Sequence, residues 1–218
     1  MEIKVKKTTA TAAETSSTIS LTAGLKLTAE AKARVKQDVG DYLVESILSR
    51  VGKAESPIDN GEWETQLSPA YKAKKKAEGL PGKANMEFEG DMLDALTYKE
   101  TADGIKVGWF DKTEAPKADG HNNFSGKSNL PRRQSLPEEG QEFVSAIQRE
   151  AEKIISDALA DAVEFDAADF DSVNSTSELY DVLAEYFPDF TRSAIRAQVA
   201  RTPKLVRLLD DAGLFELL

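Results

Sequence analysis

The sequence predicts an α+β fold in which two long amphipathic helices pack on a small antiparallel sheet with a β-hairpin, joined to a small helical C-terminal appendage. Apolar residues at helical spacing in 28–51 and 137–163 predict the two long helices. Apolar residues alternate with polar ones on both sides of the turn signal Asp103-Gly104, which predicts the hairpin. Three short, punctuated helical patterns in 176–218 predict the appendage.

Composition and charge narrow the function classes. The chain has 218 residues, 40% hydrophobic and 30% charged, which is normal for a soluble globular protein. No apolar run approaches the ~18 residues of a membrane span, and we expect no signal peptide. The absence of cysteine excludes disulfides, thiolate metal sites and cysteine nucleophiles. A net charge of −10 argues against a protein that binds nucleic acid by neutralising phosphates.

The charges are unevenly distributed along the chain. Residues 72–76 carry four lysines, 164–171 carry four acids and no base, and 190–209 carry five bases and no acid. This pattern predicts complementary faces for self-assembly or for a partner; for each single cluster, an ordinary solvated surface is the alternative.

Four segments follow from these patterns. Residues 1–18, rich in Thr, Ala and Ser, predict a flexible arm with strand-like ends, and disorder or ordering against a neighbouring subunit are the alternatives. Residues 19–163 form the main α+β domain. Residues 164–175 are predicted to be an acidic linker, with docking of Phe165 and Phe170 on another element as the alternative. Residues 176–218 are predicted to be a three-helix unit with helices at 177–187, 191–201 and 203–212.

Local signals place further elements in the main domain. Thr28 is the expected cap of the first long helix, and Gly40 within it indicates close packing or a bend. Ser68-Pro69 opens a helix that ends near Ala77, whose lysines face several sides and whose main anchoring side chain is Tyr71. Residues 111–137 lack periodicity and contain several Gly and Pro residues, which predicts a long loop that is functional or disordered.

No catalytic constellation is visible. Five residues separate Gly120 from Gly126 in the segment Gly126-Lys127-Ser128, where a phosphate loop requires four, and the strand and helix context is missing. His121 is the only histidine and has no neighbouring ligand residues, so an ordinary polar role is favoured. We therefore predict no catalytic, cofactor-binding or metal-binding residues, no cofactor and no enzyme activity.

Aromatic and basic residues are the candidates for interaction. Trp109 ends an alternating strand and is expected in the core, whereas Trp63, in a polar loop, fits either a core or an interface anchor. Basic residues on the last two helices suggest DNA contact through a helix-turn-helix, a partner contact or a solvated face. The predicted contact residues of this unit are Arg192, Arg196, Arg201 and Arg207.

The order of motifs resembles the tail completion, or virion morphogenesis, proteins of long-tailed bacteriophages, also called head–tail joining or neck proteins. The resemblance covers about residues 19–163, and 176–218 is not part of the usual pattern. It departs from the family at Met86–Gly90. The matching motifs are Asp59-x-Gly61-x-Trp63-x-x-x-Leu67-Ser68-Pro69-x-Tyr71, the lysines that follow, Gly90-x-x-Leu93-x-x-Leu96, Asp103-Gly104-Ile105-x-Val107-Gly108, His121-Asn122-Asn123-Phe124 and Leu130-Pro131-Arg132-Arg133-Gln134-Ser135-Leu136.

The resemblance implies a structural virion protein, assembled in the host cytoplasm and located at the virion neck, with no membrane partner. Its copies would form a six-fold ring that completes the tail and contacts the head connector or adaptor, and the tail terminator, tube or sheath. Genomic DNA would pass through the ring without sequence-specific contact. A DNA-binding or regulatory protein is the alternative. The predicted subunit or partner contacts are Trp63, Tyr71, Lys72, Lys75, His121, Phe124, Arg132 and Arg133.

Overall fold

The protein has a mixed α and β fold, which confirms the fold class. The computed structural model describes residues 2–22, 29–59, 61, 63, 67–86, 91–162, 165–188 and 190–218. Within them the chain forms four antiparallel strands and eight α-helices. It divides into two compact units, here called the sheet unit (2–21 and 36–151) and the helical unit (22–35 and 152–218).

The sheet has the strand order β1-β2-β4-β3. In the β2–β4 pair, Ile19 lies opposite Ile105 and Ser17 lies opposite Val107. The strands are β1 (Glu2–Ala10), β2 (Thr15–Thr22), β3 (Thr97–Glu100) and β4 (Gly104–Trp109). The predicted hairpin around Asp103-Gly104 is therefore confirmed as β3–β4.

The strand-like ends predicted for residues 1–18 are confirmed, but the flexible arm predicted between them is wrong, because β1 runs to Ala10 and β2 begins at Thr15. β2 approaches β4 so closely that glycine is required at two positions of β4. A Cβ atom at Gly108 would lie 2.2 Å from the Thr15 carbonyl oxygen, and one at Gly104 would lie 2.0 Å from that of Ile19. Local composition cannot reveal this constraint, since the two strands are far apart in the chain.

The first long helix, α1 (Ala29–Gly52), buries the predicted stripe. Its position Gly40 packs directly on β3, since a Cβ there would lie 2.6 Å from the Tyr98 ring, which confirms the close packing expected at this glycine. The predicted cap Thr28 lies outside the described residues. The buried stripe consists of Val35, Val39, Leu43, Ile47 and Val51.

The second long helix, α5 (Ser145–Ala162), begins eight residues later than the predicted start at Pro137. Gly140 has a left-handed φ of +79°, and the Val144 N–H donates to the Pro57 carbonyl oxygen at 2.9 Å. These features keep the preceding segment out of the helix. The Gln148 side chain then donates to the Ile3 carbonyl oxygen on β1 at 3.1 Å.

The remaining elements of the sheet unit are short. Trp109 is 1% exposed, as expected for a core residue, and its Nε1 donates to the Met92 carbonyl oxygen at 2.5 Å. No described helix is long and apolar enough to span a membrane. The short helices are α2 (Pro69–Ala77), α3 (Asp91–Asp94) and α4 (Glu114–Asn122).

The helical unit contains the three predicted C-terminal helices, each within two residues of its predicted ends. Hydroxyls cap two of them: Ser175 accepts from the Glu178 N–H and Thr191 from the Ala194 N–H, both at 3.3 Å. The helices are α6 (Thr176–Tyr186), α7 (Arg192–Ala200) and α8 (Pro203–Asp211).

The acidic linker predicted over 164–175 is wrong for its described part. Residues Ala167–Phe170 form a 3-10 turn, and Phe170 is 2% exposed and stacks on Tyr186 with ring centroids 6.2 Å apart. Phe165 also packs on Tyr186, at 5.0 Å. The two phenylalanines attach this acidic segment to the helical unit.

Candidate interaction surfaces

Helix α2 begins as predicted, with the Ser68 hydroxyl accepting from the Tyr71 N–H at 3.3 Å and Pro69 at the first helical position. The roles of two side chains differ from the expectation. Tyr71, expected to anchor the helix, is 41% exposed, whereas Lys75 is 1% exposed. Lys75 is therefore not a surface contact residue.

Lys75 is buried because its ammonium group has polar partners. Its Nζ donates to the Lys83 carbonyl oxygen at 3.0 Å and to Asn85 Oδ1 at 2.5 Å. A buried lysine stem adds apolar contact when hydrogen bonds satisfy its charged end. Lys75 therefore attaches α2 to the segment 83–85.

Three predicted contact residues from separate segments lie together. Tyr71 belongs to α2 and His121 to α4, and the Arg133 N–H donates to the His121 carbonyl oxygen at 3.0 Å. Burial lowers the pKa of Arg133, and its electrostatic interaction with Tyr71 opposes that shift. Arg133 is only 8% exposed, so the prediction that it is a surface contact residue is wrong, and its side chain lies beneath the exposed groups. We call Tyr71, His121 and Arg133, with the neighbouring Leu130 and Arg132, the α2–α4 surface.

His121 is neutral at physiological pH. Burial, followed by the positive charge of Arg133, lowers its pKa from 6.5 to about 4. Its Nδ1 is buried and has no hydrogen-bond partner among the described residues. Within those residues no group of three or more His, Cys, Asp or Glu is arranged to hold a metal ion.

The long loop predicted over 111–137 is wrong over 114–122, which form α4. Asp111 Oδ1 accepts the N–H groups of Thr113 and Glu114 at 2.8 and 2.7 Å and starts this helix. Pro116 is at the third helical position, where its missing N–H costs nothing. The proline and glycine that suggested a loop are therefore compatible with a short helix.

Asn122, at the end of α4, orders the segment that follows. It is 0% exposed, and its Oδ1 accepts from the N–H groups of Ser135 and Leu136 at 2.8 and 3.0 Å. Its Nδ2 donates to the Ala118 carbonyl oxygen at 3.0 Å. The segment reaches β2, where the Ser17 hydroxyl donates to the Pro137 carbonyl oxygen at 2.6 Å.

Leu130 is a candidate that sequence reasoning missed. It is 52% exposed, and a Cβ at Gly120 would lie 3.4 Å from its Cδ1, which places it against α4 next to His121. Leu130 opens one of the motifs quoted for the resemblance, but nothing in that motif marks it as an exposed contact residue. Arg132 is also exposed and holds Glu138 at 2.6 Å. Phe124 is partly buried, and no polar or ring contact of the described residues joins it to this surface.

Trp63 and Lys72 meet at a second place on the sheet unit. They line a cavity of about 160 Å³ together with Lys53, Leu67 and Lys83. Trp63 is partly exposed, and its backbone N–H donates to the Ala54 carbonyl oxygen at 3.2 Å. We call this cavity the lysine–tryptophan pocket.

The segment Gly126-Lys127-Ser128 lies in an irregular connection after α4. Gly126 has a φ of +67°, and the Ser128 N–H donates to Asn123 Oδ1 at 3.0 Å. No helix begins between this segment and Ser145, all of which is described. The helix that a phosphate loop needs at its lysine is thus not found there.

All four predicted arginines of the helical unit are exposed, namely Arg192, Arg196, Arg201 and Arg207. The Arg192 guanidinium lies 5.2 Å from the Tyr180 ring centroid. Only Arg201 and Thr202 separate α7 from α8, and Thr202 is buried. The helices α7 and α8 therefore present a basic, solvent-facing surface.

No protein-family model, curated protein or solved structure matches this chain. The function of this protein must therefore be inferred from its own residues and motifs.

Proposed function

We propose that this protein is a structural virion component of a tailed bacteriophage. Its copies form a ring at the neck that completes the tail and joins it to the head connector. The observation that supports this most strongly is the α2–α4 surface. Its members come from separate segments singled out by resemblance to neck proteins, and Tyr71 and Leu130 there are exposed at 41% and 52%. Exposed aromatic and aliphatic groups beside arginines are typical of contact surfaces.

The finer architecture belongs to this proposal. The long helices α1 and α5 pack on the sheet as in the subunit of a neck ring, and the helical unit is an addition to that pattern. The closed ring is a hexamer, built from a contact between two different surfaces of each copy. Its partners are the head connector or adaptor and the tail terminator, tube or sheath.

The net charge of −10 fits this role. Genomic DNA passes through a neck ring, and an acidic wall repels phosphates instead of binding them. The protein acts in the virion, after assembly in the host cytoplasm, without catalysis or cofactor.

Sedimentation velocity over a range of concentrations tests the proposal. We expect the wild-type protein to form hexamers as its concentration rises, and the variant Tyr71→Ser/Leu130→Ser to remain smaller at the same concentrations. Both side chains are exposed, so the variant should fold normally, which circular dichroism checks. Lys112→Ser, at an exposed position away from this surface, is the matched control. Wild-type protein that stays monomeric throughout would contradict the proposal.

The second candidate is a DNA-binding or regulatory protein, favoured by the exposure of all four arginines of the helical unit. In that case the chain binds duplex DNA with an affinity that falls steeply with salt. Fluorescence anisotropy with Arg192→Glu/Arg196→Glu separates the two functions. A neck ring shows no binding at physiological salt, and the double variant then changes nothing.

A further inference from the structure

The lysine–tryptophan pocket contains donors that have no acceptor among the described residues. Trp63 Nε1 is buried and has no hydrogen-bond partner among the described residues. The side chains of Lys53, Lys72 and Lys83 line the same cavity and form no ion pair or hydrogen bond within the described residues. Three lysines around one cavity give it a positive potential, and a buried donor without an acceptor is unfavourable. An anion placed in the pocket removes both costs.

The walls of the pocket are held in position. A Cβ at Gly82 would lie 3.0 Å from Lys72 Cγ, so α2 approaches the segment 80–86 closely at this glycine. Lys75, one helical turn below Lys72, donates to the carbonyl oxygen of Lys83 itself. Lys72 and Lys83 therefore line the same cavity from two segments that are held close together.

The size of the pocket selects the class of ligand. Its volume of about 160 Å³ corresponds to roughly five water molecules. Pockets for cofactors and drug-sized molecules measure about 300 Å³ or more. The lysine–tryptophan pocket therefore suits the carboxylate end of one aspartate or glutamate side chain, which accepts from an indole N–H and several ammonium groups at once.

The chain itself offers such a carboxylate. Asp171 is exposed, and its side chain makes no hydrogen bond or ion pair within the described residues. Asp166 and Asp169 nearby are committed to local contacts, with the Ala168 N–H and the Tyr186 hydroxyl, and add negative potential. No base occurs between residues 164 and 171.

We propose that the lysine–tryptophan pocket of one copy binds Asp171 of a second copy. This rests on the proposed self-assembly and specifies one of its contacts. The pocket belongs to the sheet unit and Asp171 to the helical unit. The contact therefore joins two different surfaces, which generates a ring or a filament instead of a two-fold dimer.

A charge-swap experiment tests the contact. The pocket variant is Lys72→Glu/Lys83→Glu and the acid variant is Asp171→Lys; all three positions are exposed, so folding should be unaffected. By sedimentation velocity, each variant alone should associate at least tenfold more weakly than wild type. An equimolar mixture should recover association, because the carboxylates introduced into the pocket then face the ammonium group introduced on the other copy. Lys112→Glu and Asp103→Lys, exposed and outside the contact, are the matched controls.

The variant Trp63→Phe examines the indole donor. It keeps an aromatic ring and removes the N–H, and we expect association about threefold to tenfold weaker than wild type. An unchanged association constant would remove Trp63 from the contact and overturn the assignment of the pocket.

The outcomes separate this inference from the proposed function. If the wild type assembles and every pocket variant assembles equally well, the inference is overturned and the proposed ring still stands. Weakened association of both variants without recovery in the mixture also overturns the pairing, since the two sites then act separately. Wild-type protein that never associates overturns the proposed function itself.

Discussion

The two units of the molecule are stabilised in different ways. In the sheet unit, polar side chains join segments that are far apart in sequence, as when the Thr15 hydroxyl donates to the Ala115 carbonyl oxygen at 2.8 Å. The helical unit depends more on aromatic rings and on caps within its own helices, although the buried Ser156 and Gln198 side chains also join distant segments at 2.9 Å. Phe165 and Phe187, for instance, lie 6.2 Å apart. Single polar atoms should therefore matter more for the stability of the sheet unit than for the helical unit.

The reason lies in β2. Thr15, Ser16 and Ser17 are all 0% exposed, so the strand presents polar groups where a sheet usually presents apolar ones. The carbonyl oxygens of Ala115 in α4 and of Pro137 accept from the Thr15 and Ser17 hydroxyls, and the Glu14 side chain accepts from the Ser16 hydroxyl. The core of the sheet unit depends on hydrogen-bond geometry as well as on apolar area.

Replacing Asn122 should have the largest effect. The Asn122→Ala variant leaves two buried backbone N–H groups without acceptors, and we expect the free energy of unfolding to fall by about 3 kcal/mol. Urea unfolding followed by Trp109 fluorescence measures this. The matched change in the helical unit is Ser156→Ala, which removes one hydrogen bond of 2.9 Å to Gln198 and should cost about 1 kcal/mol. Equal losses at the two sites would remove the contrast between the units.

Acid should weaken the sheet unit through His121. Its pKa is about 4 in the folded protein, against an ordinary value of 6.5, so the unfolded chain binds the proton first as pH falls. The stabilisation is complete above pH 6.5 and is lost between about pH 6.5 and 4, by an amount on the order of 2–3 kcal/mol. Urea unfolding of the wild type and of His121→Gln at several pH values isolates this contribution, because the two proteins have the same carboxylates. If the free energy of unfolding of His121→Gln depends on pH as steeply as that of the wild type, His121 is excluded as the source of the pH dependence.

Removing a local cap should have the smallest effect. Ser175→Ala loses the hydrogen bond from the Glu178 N–H at the start of α6 and should cost about 1 kcal/mol. Thermal unfolding followed by circular dichroism at 222 nm measures it. Ser177→Ala, exposed on the same helix, should lie within about 0.5 kcal/mol of wild type. A loss above about 2 kcal/mol at Ser175 would mean that the helical unit also depends on single polar atoms.

The same contrast explains what the sequence could predict. The helices of the helical unit follow from Ser175, Thr191, Pro203 and an apolar period, all of which are local signals. The strands within 1–18 and the helix within 111–137 escape prediction because their structure depends on remote partners. The hydroxyls of Thr15 and Ser17 bind residues 100 and 120 positions away. Composition alone cannot report such contacts.

The candidate surfaces are predictable in part. The motifs single out Tyr71, His121 and Arg133, which the fold brings together, and Trp63 with Lys72, which share a pocket. The prediction places Lys75 on the surface because lysine is rarely buried, and no local pattern predicts its hydrogen bond to Asn85. Leu130 escapes prediction because one leucine in a polar stretch is an ordinary event.

The strand order β1-β2-β4-β3 has a consequence for synthesis on the ribosome. The hairpin of β1 and β2 leaves the exit tunnel well before β4, whose first residue lies roughly eighty positions after the end of β2. At about 5–20 residues per second, the inner edge of β2 then waits several seconds for its neighbour. The serines and threonines of β2 keep this unpaired strand hydrated. Nascent chains on the same polysome therefore have a low tendency to aggregate through it.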